Sequence, residues 1–248
     1  AGWCFGINGA TFLAVLAGLL AMRVPPFTPG RAEAPFRQVR EGLAYTVRHP
    51  VILPVILITG ISALLPFSYS ALLPAFAVEV LGQGETALGL LTAAVGIGAV
   101  LGSLFMASIA EAQGRTGPMF LGTILFPLAL LGFAFSASYA LSLALLVVAG
   151  FGLVVQNTSI NSMVQIFVRD ELRGRVMSIY LLSFFGALPF GALQAGTVAQ
   201  LLGPSAGMAI SAGLGLLLAA GVLAASPGLR RPAADIITLP AVDEDSAA

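Results

Sequence analysis

Seven stretches of the chain are apolar over roughly the 20 residues that a helix needs to cross a hydrocarbon core. They run at about 2–22, 51–78, 87–110, 117–136, 139–168, 176–202 and 204–226. Charged positions fall between them: Glu79, Glu85, Glu111, Arg115 and the Arg169–Arg175 cluster all sit in connections. In lipid, every backbone N–H and C=O must be satisfied within a helix or a closed barrel. The runs are too long and too uniformly apolar for barrel strands, which alternate over about ten residues. The pattern predicts an all-α integral membrane protein with seven transmembrane helices.

The remaining segments have patterns of their own. In the long connection, residues 24–35 hold Pro25, Pro26, Pro29 and Pro35 and cannot be helical throughout. Residues 36–48 can be, with Phe36, Val39, Leu43 and Val47 at helical spacing on one face and Arg37, Arg40, Glu41 and Arg48 on the others. Two readings stand: a short amphipathic helix lying at the cytoplasmic interface, or a polar linker that happens to be periodic. After Ser226 the prolines Pro227, Pro232 and Pro240 and the acids Asp243, Glu244 and Asp245 predict a disordered tail. The organisation expected is a first helix at 1–22, a cytoplasmic loop at 23–50, a six-helix bundle at 51–226 and a tail at 227–248.

Composition agrees with this pattern: 58% hydrophobic and 9% charged residues, with a mean hydropathy of +1.00. The formal charge is +0 and all 11 basic residues are arginine, so no large basic face is on offer to nucleic acid. One cysteine, Cys4, and one histidine, His49, lie in different segments and exclude a disulfide framework or a Cys/His zinc site. Every arginine falls on alternate connections, whereas those around Gly82, Ser138 and Gly203 have none. Positively charged loops stay in the cytoplasm, which predicts a cytoplasmic C-terminus. The first run starts at Ala1 without a basic flank or a cleavage pattern, and is expected to be the end of a preceding half rather than a signal peptide.

Candidate chemistry lies in neutral polar groups, because no charged residue lies deep in any run. In QNTSINSMVQ at 156–165, Asn157, Asn161 and Gln165 recur at i, i+4, i+8 and share one helical face, with Gln156 beside them. A second stripe holds Tyr180, Ser183, Phe190 and Gln194, and a third holds Thr59, Ser62, Pro66 and Tyr69. Converging stripes would wall a central substrate cavity. Alternatively, the amides are interhelical hydrogen-bond glue, and aromatics such as Phe67, Phe184 and Phe185 face lipid or packing neighbours. Pro54, Pro66 and Pro74 in one run, and Gly186, Pro189 and Gly191 in another, are sites where a helix can bend or gate, or static kinks. Gly98, Gly102, Gly207, Ser211 and Gly215 form small-residue ridges for close packing. Arg169, Asp170, Glu171, Arg173 and Arg175 anchor helix ends, and are expected also to pair across the cytoplasmic face. Intramembrane catalysis would need a nucleophile with a base, paired acids or metal ligands; the runs hold no acid or His, so neither an enzyme nor a cofactor or metal site is expected.

Three stretches, EGLAYTVRHPVI at 41–52, GLLTAAVGIGAVLGS at 89–103 and RDELRGRVMSIY at 169–180, together with the span pattern, resemble the major facilitator superfamily. The similarity is to its enterobactin-exporter and macrolide-efflux branch, the transmembrane secretion effectors, and covers residues 1 to about 226. It implies helix six followed by the C-terminal six-helix bundle, with a six-helix N-terminal half as the missing partner. The sequence departs from the pattern at 110–117, where only Glu111, Gly114 and Arg115 keep the character of a charged glycine motif. The resemblance implies a secondary active transporter in the cell membrane, expected to be a proton-coupled exporter of a bulky, partly apolar molecule such as a siderophore or drug. An importer or lipid permease on the same scaffold, or a non-transporting membrane scaffold or inactive fragment, are the alternatives.

Overall fold

The computed structural model describes residues 2–22, 35–82, 84–109 and 116–230, and every regular element among them is helical. The chain divides into two units, 1–37 and 38–248. The first contains α1, Gly2–Ala21, whose described side chains are all exposed. The second opens within α2, Pro35–Arg48, so the helical reading of 36–48 holds over the linker reading. The arginine-bearing segment 23–34, residues 110–115 and residues 231–248 lie outside the described residues.

Six helices or helical runs among the described residues are long and apolar enough to cross a membrane: Ile52–Val80, Thr86–Ser108, Thr116–Ala134, Tyr139–Phe167, Asp170–Leu202 and Pro204–Ala225. The expected seven spans are thus six and a shorter apolar helix, Gly6–Ala21.

The first of the six is broken in the middle. It comprises α3 (Ile52–Leu64), a 3-10 turn (Pro66–Ser68), α4 (Tyr69–Ala75) and a π-helical turn (Phe76–Val80). Pro66 has no N–H for the carbonyl one turn back and its ring crowds that turn, so α3 stops in front of it. The Leu65 N–H still bonds the Ile61 carbonyl at 2.9 Å, and the next bond in register is missing. Pro54 lies in the first turn of α3, where its missing N–H costs nothing.

The other helices are α5 (Glu85–Ser108), α6 (Thr116–Ala134), α7 (Tyr139–Phe167), α8 (Asp170–Leu202) and α9 (Pro204–Ala225). α8 runs without a break through Gly186, Pro189 and Gly191. Gly191 serves close packing instead: a Cβ on it would collide with the Leu64 carbonyl of α3. The same logic joins α5 to α7, where a side chain on Gly98 would strike the Val147 carbonyl and one on Gly150 would strike that of Val95. Backbones this close gain dispersion contacts that lipid cannot match.

α5 and α6 pack along α7, α6 also along α9, and α8 along α3 and α9. Two buried clusters fill the bundle. One holds Tyr69, Phe76, Phe126, Phe133, Leu146 and Met208. The other gathers the start of α3, the end of α7, the start of α8 and the end of α9 around Ile52, Ile160, Met163 and Val176. Leu229 belongs to this second cluster and is fully buried, so the chain past Ser226 begins with an ordered 3-10 turn, Pro227–Arg230, rather than with a disordered tail.

Candidate substrate cleft

α7 packs mainly on α5 and α6, and α8 on α3 and α9, which leaves a cleft of about 400 Å³ between the polar stripes of the two helices. Asn157, Thr158, Asn161 and Ser162 form one wall and Tyr180, Leu181, Phe184 and Phe185 the other. Four-residue spacing stacks Asn157 and Asn161 on one face of α7. The Asn161 carbonyl oxygen accepts a hydrogen bond from the Gln165 amide, and the Tyr180 hydroxyl lies against the Asn161 side chain. Phe184 meets Phe67 edge-on at 5.5 Å and Phe185 at 5.3 Å. The lining has amides, hydroxyls and aromatic faces and no charged group. Such a surface can hydrogen-bond a neutral solute and stack on its flat parts, but offers a free carboxylate or ammonium no counter-ion.

Of the predicted stripes, Asn157 and Asn161 of α7 and Tyr180 of α8 meet in the cleft, and that of α3 does not join them. Gln156 is 1% exposed and Ser62 7%, and they bond to each other, the Gln156 Nε2 donating to the Ser62 Oγ at 2.7 Å. These two cavity candidates are placed in the bundle interior, because one residue along a helix turns a side chain by about 100°. The Gln156 Oε1 is buried there with no partner. Tyr69 is likewise in the core, edge-on to Phe126 at 6.1 Å. Ser183 bonds back to the Ile179 carbonyl at 2.8 Å, Gln194 accepts from Ser211 at 3.2 Å in the seam between α8 and α9, and Phe190 is 67% exposed. None of these three lines the cleft. Thr158 and Ser162 do, although the sequence reading passed over them. Their signal was available, since they repeat the four-residue step of Asn157 and Asn161 one position on.

The charge cluster sits at the end of the bundle where α7 turns into α8. Arg173 pairs with Asp170 within α8 at 2.5 Å, and Arg175 reaches Glu41 of α2, also at 2.5 Å. Arg169 lies 6.0 Å above the Tyr45 ring, whose hydroxyl donates to the Phe167 carbonyl at 3.3 Å. Burial pushes the Tyr45 hydroxyl above its usual pKa, with Arg169 opposing. His49 Nδ1 accepts from the backbone N–H groups of Val51 and Ile52 at 3.2 and 3.3 Å, and burial holds its pKa below 6.5. Among the described residues no group of His, Cys, Asp and Glu is placed to hold a metal.

A comparison with curated proteins found no match. Against protein families, residues 1–245 match the transmembrane secretion effectors. With six apolar helical runs of membrane-crossing length and an uncharged cleft between two of them, this match places the chain in the transmembrane secretion effector family, as a membrane transporter of the major facilitator type.

Proposed function

We propose that this chain forms one wall of a secondary active exporter, proton-coupled, which moves a bulky and partly apolar neutral molecule out of the cell. The observation that carries the reading is the cleft: paired amides on α7 facing a tyrosine and two phenylalanines on α8, with no charge among them. α8 is among the least buried of the apolar helices despite its length. Large side chains of α8 such as Leu182, Phe185 and Leu193 are exposed, which supports a second helical half closing over this helix. The acidic group that proton coupling requires would belong to that half, since no carboxylate lines the cleft. We further propose that the protein lies in the cell membrane with its C-terminus in the cytoplasm.

Accumulation of candidate siderophores and drugs is the test, in cells with and without the intact gene. Export is expected to lower accumulation, and Asn157→Leu with Asn161→Leu to weaken handling of the substrate. At about 1 kcal/mol for each lost hydrogen bond, the apparent affinity should fall roughly fivefold per amide. Unchanged accumulation on deletion of the gene, for every compound tried, would defeat the export reading.

A further inference from the structure

α2 has three sides, and they are occupied in an unusual order. An amphipathic helix packed on a bundle normally turns its apolar stripe inward. In α2 the inward side is small and polar. Gly42 is so close to α8 that a Cβ would stand 3.0 Å from that of Arg175 and 3.4 Å from Ile179 Cδ1. Thr46 is buried beside it, and the Glu41–Arg175 ion pair and the Tyr45–Phe167 hydrogen bond flank the contact. The apolar stripe points elsewhere: Val39 is 64% exposed, Leu43 51% and Val47 55%. At 100° per residue these three fall about a quarter of a turn away from the Gly42–Thr46 side. Arg40 borders the stripe and Arg48 follows on the side away from the bundle. Both are exposed, and neither makes an ion pair among the described residues.

We propose that this outer surface docks onto an anionic phospholipid leaflet, with Val39, Leu43 and Val47 entering the acyl boundary and Arg40 and Arg48 meeting the lipid phosphates. The location follows from the chain itself. α2 ends at Arg48, and α3, the start of the first broken span, begins at Ile52. Its last turn is therefore held at the level where the bundle enters the hydrocarbon. An apolar stripe at that level loses nothing by entering lipid, whereas in water it would remain an unpaired hydrophobic face. Arginine stems can lie along the apolar boundary while the guanidinium reaches the headgroup. A protein partner on the same surface would have to desolvate two arginines and bring carboxylates to them; a leaflet of acidic lipid supplies phosphates at the right height without that. Because Glu41 ties α2 to Arg175, lipid held on the outer side also braces the first turns of α8, little more than one turn ahead of Tyr180. The inference rests on the chain crossing a membrane and is independent of whether it transports.

The test uses the full chain in vesicles. The sole tryptophan is replaced (Trp3→Phe) and a reporter is introduced as Leu43→Trp. Its fluorescence is quenched by brominated phosphatidylcholine or brominated phosphatidylglycerol. A second reporter, Leu101→Trp on the exposed face of α5, checks insertion. Quenching at position 43 is expected, with the acidic lipid preferred about fivefold for each arginine engaged. Arg40→Gln with Arg48→Gln should bring that preference to parity, and position 101 should show none. Absence of quenching at 43 while 101 is quenched would mean that a protein surface or another part of the chain covers α2, and overturns the proposal. Equal quenching by both lipids, or a preference that survives loss of both arginines, also overturns it.

Discussion

Neighbouring side chains on α7 meet opposite surroundings. Asn157 and Asn161 line the cleft, while Gln156 is enclosed by α3 and α6, where its Nε2 has Ser62 and its Oε1 has no partner. Hydrogen bonds between membrane helices average about 0.6 kcal/mol, because the separated helices find other partners. An orphaned acceptor reduces even that benefit. Gln156 is therefore held mainly for its volume. Gln156→Leu, which keeps the bulk, should change unfolding free energy by less than about 1 kcal/mol, and Gln156→Ala should cost about 2 kcal/mol or more through the cavity it leaves. Unfolding in mixed micelles would compare them; equal losses would show that the amide, and not its size, holds the site together. The four-residue repeat of amides was legible in the sequence, and so was a cavity face. Which member of the adjacent pair Gln156 and Asn157 faced it was not, because that depends on how α7 is rotated against its neighbours, and packing sets the rotation.

Among the elements, α3 shows what local chemistry has to supply when a helix starts without a usual cap. Its N-cap position is Val51, which has no side-chain acceptor. The unsatisfied N–H groups of the first turn are taken by His49 Nδ1, two and three residues back. That bond requires neutral imidazole with a free Nδ1. Burial lowers the His49 pKa from 6.5, so the folded state binds this proton less readily than the unfolded one. The contribution of His49 to stability is accordingly complete above about pH 6.5 and is lost as pH falls below it toward the folded-state pKa. Exchange at the amides of Val51, Ile52, Leu53 and Val55, corrected for its intrinsic pH dependence, should lose protection as pH falls below about 6.5. His49→Asn, a cap that does not titrate, should abolish the effect. Protection that stays level in the native protein would show that the imidazole does not secure this start. α2 itself was readable from its periodicity, but the side it turns to the bundle was not. Proline was equally ambiguous: Pro66 divides its span while Pro189 sits inside an unbroken α8. Pro66 is buried against Gly215, where there is room only for a glycine; Pro189 is exposed, and nothing packs into a break there. Sequence shows the proline but not the neighbour that fixes its effect.

For the whole molecule, the spans were legible because lipid imposes a length and a polarity on every one of them. The pairing of α5 with α7 and of α3 with α8 was not, since most of the surfaces that pair are apolar and resemble those left to face lipid. Charge adds the one global asymmetry. Arg40, Arg48, Arg169, Arg173 and Arg175 collect where α3 begins, α7 ends and α8 begins. The opposite connections, at Gly82, Ser138 and Gly203, have no arginine. Under the proposed topology, in which basic loops are retained during insertion, the arginine end of the bundle is cytoplasmic and Ser138, exposed between α6 and α7, is on the outer side. Thiol labelling can read this directly. In a Cys4→Ser background, Ser138→Cys should react with a membrane-impermeant maleimide in intact cells, and Glu171→Cys, exposed in the first turn of α8, only after the membrane is opened. Neither site is buried, so silence at one of them reports the membrane and not the fold. The reverse pattern would put all the arginines outside. It would remove the inner leaflet as the surface that α2 contacts, and it would turn the cleft around relative to the direction of transport.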